Sequence, residues 1–183
     1  MKILVFILAF FITFINAAEN ITDTFQIRNA KTGFPINTKR ESKIFNYQNW
    51  YLNDLGIDEK IKKIDKFADA FPFGYVQFKV VINPQMCLSV APSGFLVLKD
   101  CKQDYDSSEF ETIFQIIPTT TSAVQIRSLL LGTNECLGIF TNPQVFVLDR
   151  VGLVECLLDH DFTIEPARLF TLTPPVGGAM VIK

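Results

Sequence analysis

The chain has 183 residues, a formal net charge of −2, one histidine and 49% hydrophobic residues, with 18 phenylalanines. That size suits a single domain. Mild acidity, with no basic stretch interleaved with aromatics, excludes a direct nucleic-acid binder, and a lone histidine leaves little for histidine-dependent catalysis or metal binding.

Met1-Lys2 is followed by a run of 13 residues, Ile3 to Ile15, apolar throughout but for Thr13, and then by small residues at Asn16-Ala17-Ala18. The run fits a signal-peptide core and falls short of the roughly 20 residues a spanning helix needs. Residues 1–17 are therefore expected to be a signal peptide, leaving one secreted domain over 18–183. Residues 19–24 are a polar lead-in.

A first strand-rich unit is expected over about 25–54, turning at Lys31-Thr32-Gly33 near Pro35. Next, Ile57, Ile61, Ile64 and Ala68 follow helical spacing with charged residues between them. They predict one short inserted helix, docked by that apolar stripe. A second unit spans about 75–118, with strands at Met86–Val90 and Phe95–Leu98 turning at Pro92-Ser93-Gly94. Residues 104–108 read as a polar loop. A third unit spans about 124–174, turning at Asn142-Pro143, and an extended tail follows.

The three units repeat one another. Phe25-Gln26-Ile27-Arg28, Val76-Gln77-Phe78-Lys79 and Val124-Gln125-Ile126-Arg127 share one pattern, their glutamines 51 and 48 positions apart. A second phrase keeps step: Gln48-Asn49-Trp50-Tyr51-Leu52, Thr112-Ile113-Phe114-Gln115-Ile116 and Arg168-Leu169-Phe170-Thr171-Leu172 each place an aromatic third and an aliphatic fifth. Period-two alternation makes these half-buried strands. Threefold self-similarity means one unit used three times, each needing the others to bury its apolar face. The predicted fold is all-β, a β-trefoil.

The four cysteines all follow the signal, and an even number in an exported chain suggests disulfides. The repeats align Cys87-Leu88-Ser89-Val90 with Cys136-Leu137-Gly138-Ile139, each cysteine meeting a second in its own unit. Cys87 is accordingly paired with Cys101 and Cys136 with Cys156, while unit one has Ile36 at the corresponding place. No CxxC spacing supports a metal site. His160 sits in Leu158-Asp159-His160-Asp161, a surface-loop sequence, and no carboxylate pair or phosphate-binding loop occurs. No catalytic residue, metal or cofactor is expected, and the chain reads as a binding module.

Cysteine-Leu strands closing on a second cysteine, followed by Gln-x-Trp-type strands, resemble ricin B-type lectins. Residues Ile117 to Leu129 and Phe73 to Phe78 are similar to the C-type component of the cytolethal distending toxins of Campylobacter-type bacteria, a likeness covering nearly the whole mature chain. The resemblance implies a noncatalytic subunit of a heterotrimeric genotoxin, with an A-like lectin subunit and a DNase-like nuclease subunit as partners. A host membrane lipid, cholesterol included, or a glycan would be its target.

Ricin-type sugar sites usually carry Asp where this chain has Ser89, Gly138 and, in unit one, Thr38, so a carboxylate that would hold paired sugar hydroxyls is missing. Gln-x-Trp persists only at Gln48-Asn49-Trp50, and the strand register makes Trp50 core rather than sugar platform. The resemblance further implies membrane contact through the segment holding Phe71, Phe73, Gly74, Tyr75, Val76, Phe78 and Lys79. Lys66, Phe71 and Val76 fit a permissive reversed sterol pattern, and Phe71, Phe73 and Tyr75 are expected to form an exposed aromatic patch. The alternatives are a secreted carbohydrate-binding lectin and a trefoil protease inhibitor of the Kunitz soybean type.

Overall fold

The computed structural model describes residues 23–38, 47–91, 94–130, 132–140, 151–158 and 163–175. The expected signal segment, the expected turn at Asn142-Pro143, Pro92-Ser93, His160 and the tail beyond Pro175 lie outside them. In the described residues the strands are β1 (Gln26–Asn29), β2 (Trp50–Gly56), β3 (Tyr75–Val80), β4 (Met86–Val90), β5 (Leu96–Asp100), β6 (Phe114–Pro118), β7 (Val124–Ser128), β8 (Glu135–Ile139), β9 (Val151–Glu155) and β10 (Phe170–Thr173).

The two recurring phrases are the staves of a barrel. Antiparallel pairing runs β1-β10-β7-β6-β3-β2. Phe25 and Trp50 then exchange backbone hydrogen bonds of 3.0 and 2.8 Å, which close the ring from β2 back to β1. Closure leaves these six strands no free edge. A hairpin hangs from each of the second and third repeats: β4–β5 from β3 through Lys79–Cys87, and β8–β9 from β7 through Arg127–Cys136. The fold is a β-trefoil.

Three triplets fill the barrel and the hairpin bases: Ile27, Phe78 and Ile126; Ile36, Leu88 and Leu137; Trp50, Phe114 and Phe170. All nine are at most 1% exposed and join one cluster. Such burial is worth about 1.5–3 kcal/mol for each large apolar side chain. The aliphatic at the fifth place of the second phrase lies toward the barrel rim, with Leu52 and Ile116 half-buried and Leu172 exposed.

Unit one is registered one residue differently from the sequence alignment. Arg28 pairs with Pro35 as Lys79 pairs with Cys87 and Arg127 with Cys136. Pro35, not Ile36, is thus the counterpart of the cysteines, and Asn37, not Thr38, that of Ser89 and Gly138. The cause is the tight turn at Asn29–Phe34, where Gly33 adopts φ 69° and donates its N–H to Asn29 O at 2.8 Å. Disulfides join Cys87 to Cys101 and Cys136 to Cys156, at sequence separations of 14 and 20. Such bridges persist in oxidising compartments.

The helices depart from expectation. The inserted helix α1 is only Glu59–Lys62, capped by Asp58, and of the predicted stripe only Ile61 is buried. The polar loop at 104–108 lies largely within a second helix, α2 (Cys101–Ser107). Asp100 caps it by accepting the Gln103 N–H at 2.7 Å. Its inward residues are Cys101 and Asp104, so it carries no apolar periodicity to read.

Replacing Phe170 by Ala should cost about 3–5 kcal/mol in denaturant unfolding. Leu172→Ala, two residues on and 42% exposed, should stay within about 1 kcal/mol; equal losses would contradict this barrel register. Non-reducing peptide maps should show only Cys87–Cys101 and Cys136–Cys156 links.

Candidate functional site

Residues 57–74 connect β2 to β3 as a strap across the barrel wall. Its first half is fixed to α2: Tyr105 OH donates to Asp58 Oδ2 at 2.6 Å, and Lys60 Nζ donates to Tyr105 O at 2.5 Å. Ile61 inserts among Tyr75, Phe110, Ile113 and Leu129. Its second half is fixed by a fully buried ion pair. Arg127 Nη2 donates to Asp65 Oδ1 at 2.6 Å and Nη1 to Oδ2 at 2.8 Å. The same guanidinium bonds Gln115 Oε1 at 2.7 Å and Thr133 O, with the Phe71 ring 4.5 Å away. Burial alone would raise the Asp65 carboxyl, but Arg127, the Phe67 amide and the Tyr75 hydroxyl outweigh it and hold it below the usual carboxylate range. Burial, and then the Asp65 charge, push the Tyr75 hydroxyl well above its ordinary value.

This anchoring overturns the exposed aromatic patch. Phe71 is 1% and Tyr75 2% exposed; the first lies against Arg127 and the second donates to Asp65 at 3.1 Å. Val76 and Phe78 are core, and Lys79 is 8% exposed. Gly74 packs on the Gly56 backbone, where an added Cβ would lie 3.4 Å away. Of the residues expected at a membrane, Lys66 is exposed and Phe73 and Gly74 are half-buried, while the others are buried.

Phe73 instead lines a groove of about 710 Å³ between the strap and the β6–β7 turn. Ala70, Pro72, Ile117, Leu157, Leu158, Ile164 and Leu169 supply apolar walls, and Thr119, Thr120, Thr121 and Thr163 supply hydroxyls. The strap edge is held there because Gln115 Nε2 donates to Phe71 O and Phe73 O at 3.1 and 2.8 Å. A second, polar cleft of about 810 Å³ lies by the Cys101 end of α2, lined by Lys79, Gln85, Asp100, Lys102, Gln103 and Asp106 among others.

The positions matching ricin-type sugar sites are closed or lack a carboxylate. A Cβ on Gly138 would meet Val154 Cγ2 at 2.4 Å, so no larger side chain fits there without rearrangement. Ser89 is fully buried. Among the described residues, Asp104, Glu109 and Glu111 are close enough together to hold a metal ion. Lys99 Nζ occupies their midst, 3.0 Å from Asp104 and 2.8 Å from Glu111 and also bonded to Glu109. Burial works against the charge on Lys99, but the three carboxylates hold its ammonium well above the ordinary lysine value.

The model of the cytolethal distending toxin A/C domain family matches residues 24–181. The chain belongs to that family. Similar solved structures of this toxin kind are the cytolethal distending toxin of Actinobacillus actinomycetemcomitans, at 26% identity and TM-score 0.61, and that of Haemophilus ducreyi, at 25% and 0.61. Each likeness covers 87% of this chain and 90% of the other. A ricin B-like lectin of Macrolepiota procera, solved with lactose, shares the fold at 16% identity and TM-score 0.50, over 83% of this chain and 95% of its own. No curated protein matches the chain. The toxin A/C domain thus keeps the trefoil while its repeat glutamines do structural work. Gln77 Nε2 donates to Cys101 O at 3.1 Å and Thr112 Oγ1 at 2.9 Å. Gln125 exchanges bonds of 2.7 and 2.9 Å with Leu157.

Sequence reasoning missed Asp65, Gln115 and the groove. Helical spacing puts Asp65 on a solvated face, and no local signal marks a carboxylate whose partner lies 62 residues away.

Asp65→Asn should cost about 3–5 kcal/mol, because it leaves Arg127 buried without its counter-charge, and an added Arg127→Met should recover part of that loss. A depressed carboxyl stabilises the fold above its unfolded value and loses that effect as pH falls through its folded value. Thermal midpoints of the parent should therefore hold from pH 7 to about 5 and fall below about 4, and Asp65→Asn should remove part of that acid step.

Proposed function

We propose that this toxin A/C domain is the noncatalytic, exported subunit that binds the host cell surface and carries a DNase-like nuclease subunit beside an A-like lectin subunit. The observation that carries the reading is the apolar groove of about 710 Å³ at Phe73. It offers hydroxyl-bearing walls suited to a rigid apolar ligand with a polar end, such as membrane cholesterol. A glycan held in the ricin manner is disfavoured by the seal at Gly138 and the burial of Ser89. A Kunitz-type inhibitor is disfavoured by bridges that each close within one repeat.

Gel filtration of the three mixed subunits should show one co-eluting complex, and the purified chain alone should leave plasmid DNA uncut. Phe73→Ser should weaken binding to phosphatidylcholine–cholesterol vesicles by roughly tenfold, since burying an aromatic ring is worth about 1.5–3 kcal/mol, while the half-buried ring's loss lowers the thermal midpoint only modestly and leaves the protein folded at the assay temperature. Undiminished binding by that variant would remove the groove from the reading.

A further inference from the structure

The strap has an outward side that its anchoring leaves unused. Asp58, Lys60, Ile61 and Asp65 are all engaged inward. What remains outside is Ile57, 69% exposed, and Ile64, 51% exposed, the two most exposed large apolar side chains among the described residues. Around Ile64 stand Lys62, Lys63 and Lys66, all exposed. Glu59 and Asp69, the outward carboxylates, flank the stretch 62–66, whose outward residues are therefore basic and aliphatic, while Ile57 stands two residues from Glu59. We infer that this side, Ile57 and Ile64 with Lys62, Lys63 and Lys66, is a contact surface for anionic phospholipid headgroups. The inference rests on the reading of the chain as a membrane-engaging subunit and adds a second contact, distinct in chemistry from the groove.

Two isolated isoleucines are far too little surface for a stable protein interface, which buries roughly 800 Å² on each side. A lipid surface asks for much less: apolar tips that enter the headgroup boundary and lysines whose ammonium groups stay in the phosphate layer. The buried Asp65–Arg127 pair and the Asp58–Tyr105 bond hold the strap in place, so presenting these tips costs little ordering. Lys66 and Ala70, the latter on the groove wall, are four residues apart and at most about 14 Å of chain, so the two contacts adjoin.

The test is co-sedimentation of the purified protein with vesicles of phosphatidylcholine, with and without phosphatidylserine, and with cholesterol in place of phosphatidylserine. The protein should favour the phosphatidylserine vesicles and release them at high salt. Each lysine near an anionic surface contributes about fivefold, so Lys62→Gln, Lys63→Gln and Lys66→Gln together should weaken that binding on the order of 100-fold. Ile57→Ser with Ile64→Ser should weaken it by roughly tenfold or more, and both variants should keep the parent thermal midpoint. Phe73→Ser should spare phosphatidylserine binding while impairing cholesterol binding, so failure of the groove and failure of the strap are told apart. Equal binding to neutral and anionic vesicles, or a triple variant that binds normally, overturns the inference. So does a triple variant that keeps the lipid but loses the partner subunits, which would assign the strap to an acidic protein.

Discussion

The buried pair between Asp65 and Arg127 is the constraint on which the distinctive part of this molecule depends. The guanidinium is saturated: two bonds to the carboxylate, one to Gln115 and two to the Thr133 carbonyl. It carries the connection between the first two repeats onto a strand of the third. With Asp65 held there, α1 ends at Lys62, Phe71 lies over the cation and Tyr75 turns its hydroxyl inward to the carboxylate. A buried pair of this kind adds little to stability against an apolar substitute, yet it fixes geometry, because no other placement satisfies both charges.

The same logic governs the repeat itself. Barrel strands covered on both faces must bury polar residues somewhere, and here the glutamines of the first phrase do it by bonding backbone at the far end of their own hairpin. Gln77 reaches Cys101 and Gln125 reaches Leu157, next to Cys156. Each disulfide and each glutamine therefore secures the same hairpin return by independent means. In unit one, without a bridge, Gln26 is fully buried and accepts from Arg28 Nη2 at 2.5 Å.

This economy bears on function. A trefoil that used its repeats for sugar would keep a carboxylate near each hairpin base, whereas here Val154 stands where a Gly138 side chain would go. The features proposed for recognition lie in what the repeats do not specify: the strap, the groove between it and the β6–β7 turn, and the aliphatic and basic residues the strap turns outward. Family membership and the proposed function agree with this, since a domain proposed to bind surfaces as part of an assembly has no need of three equivalent pockets.

The sequence by itself determined the trefoil, the burial of Trp50, Phe114 and Phe170, and the pairing of the cysteines. All of these follow from period-two alternation and a threefold repeat, which are local patterns written many times over. It also placed strand Met86–Val90 to the residue. Tertiary structure alone decided the one-residue shift at Pro35, the early end of α1, the existence of α2, and the fate of Phe71 and Tyr75. The shift at Pro35 comes from the tight turn at Asn29–Phe34, and the others turn on single pairs: a carboxylate and a guanidinium 62 residues apart, and Asp104 receiving the Thr112 amide and hydroxyl. A pattern repeated three times can be read along the chain, but a single pair of charges declares itself only when folding brings the two ends together.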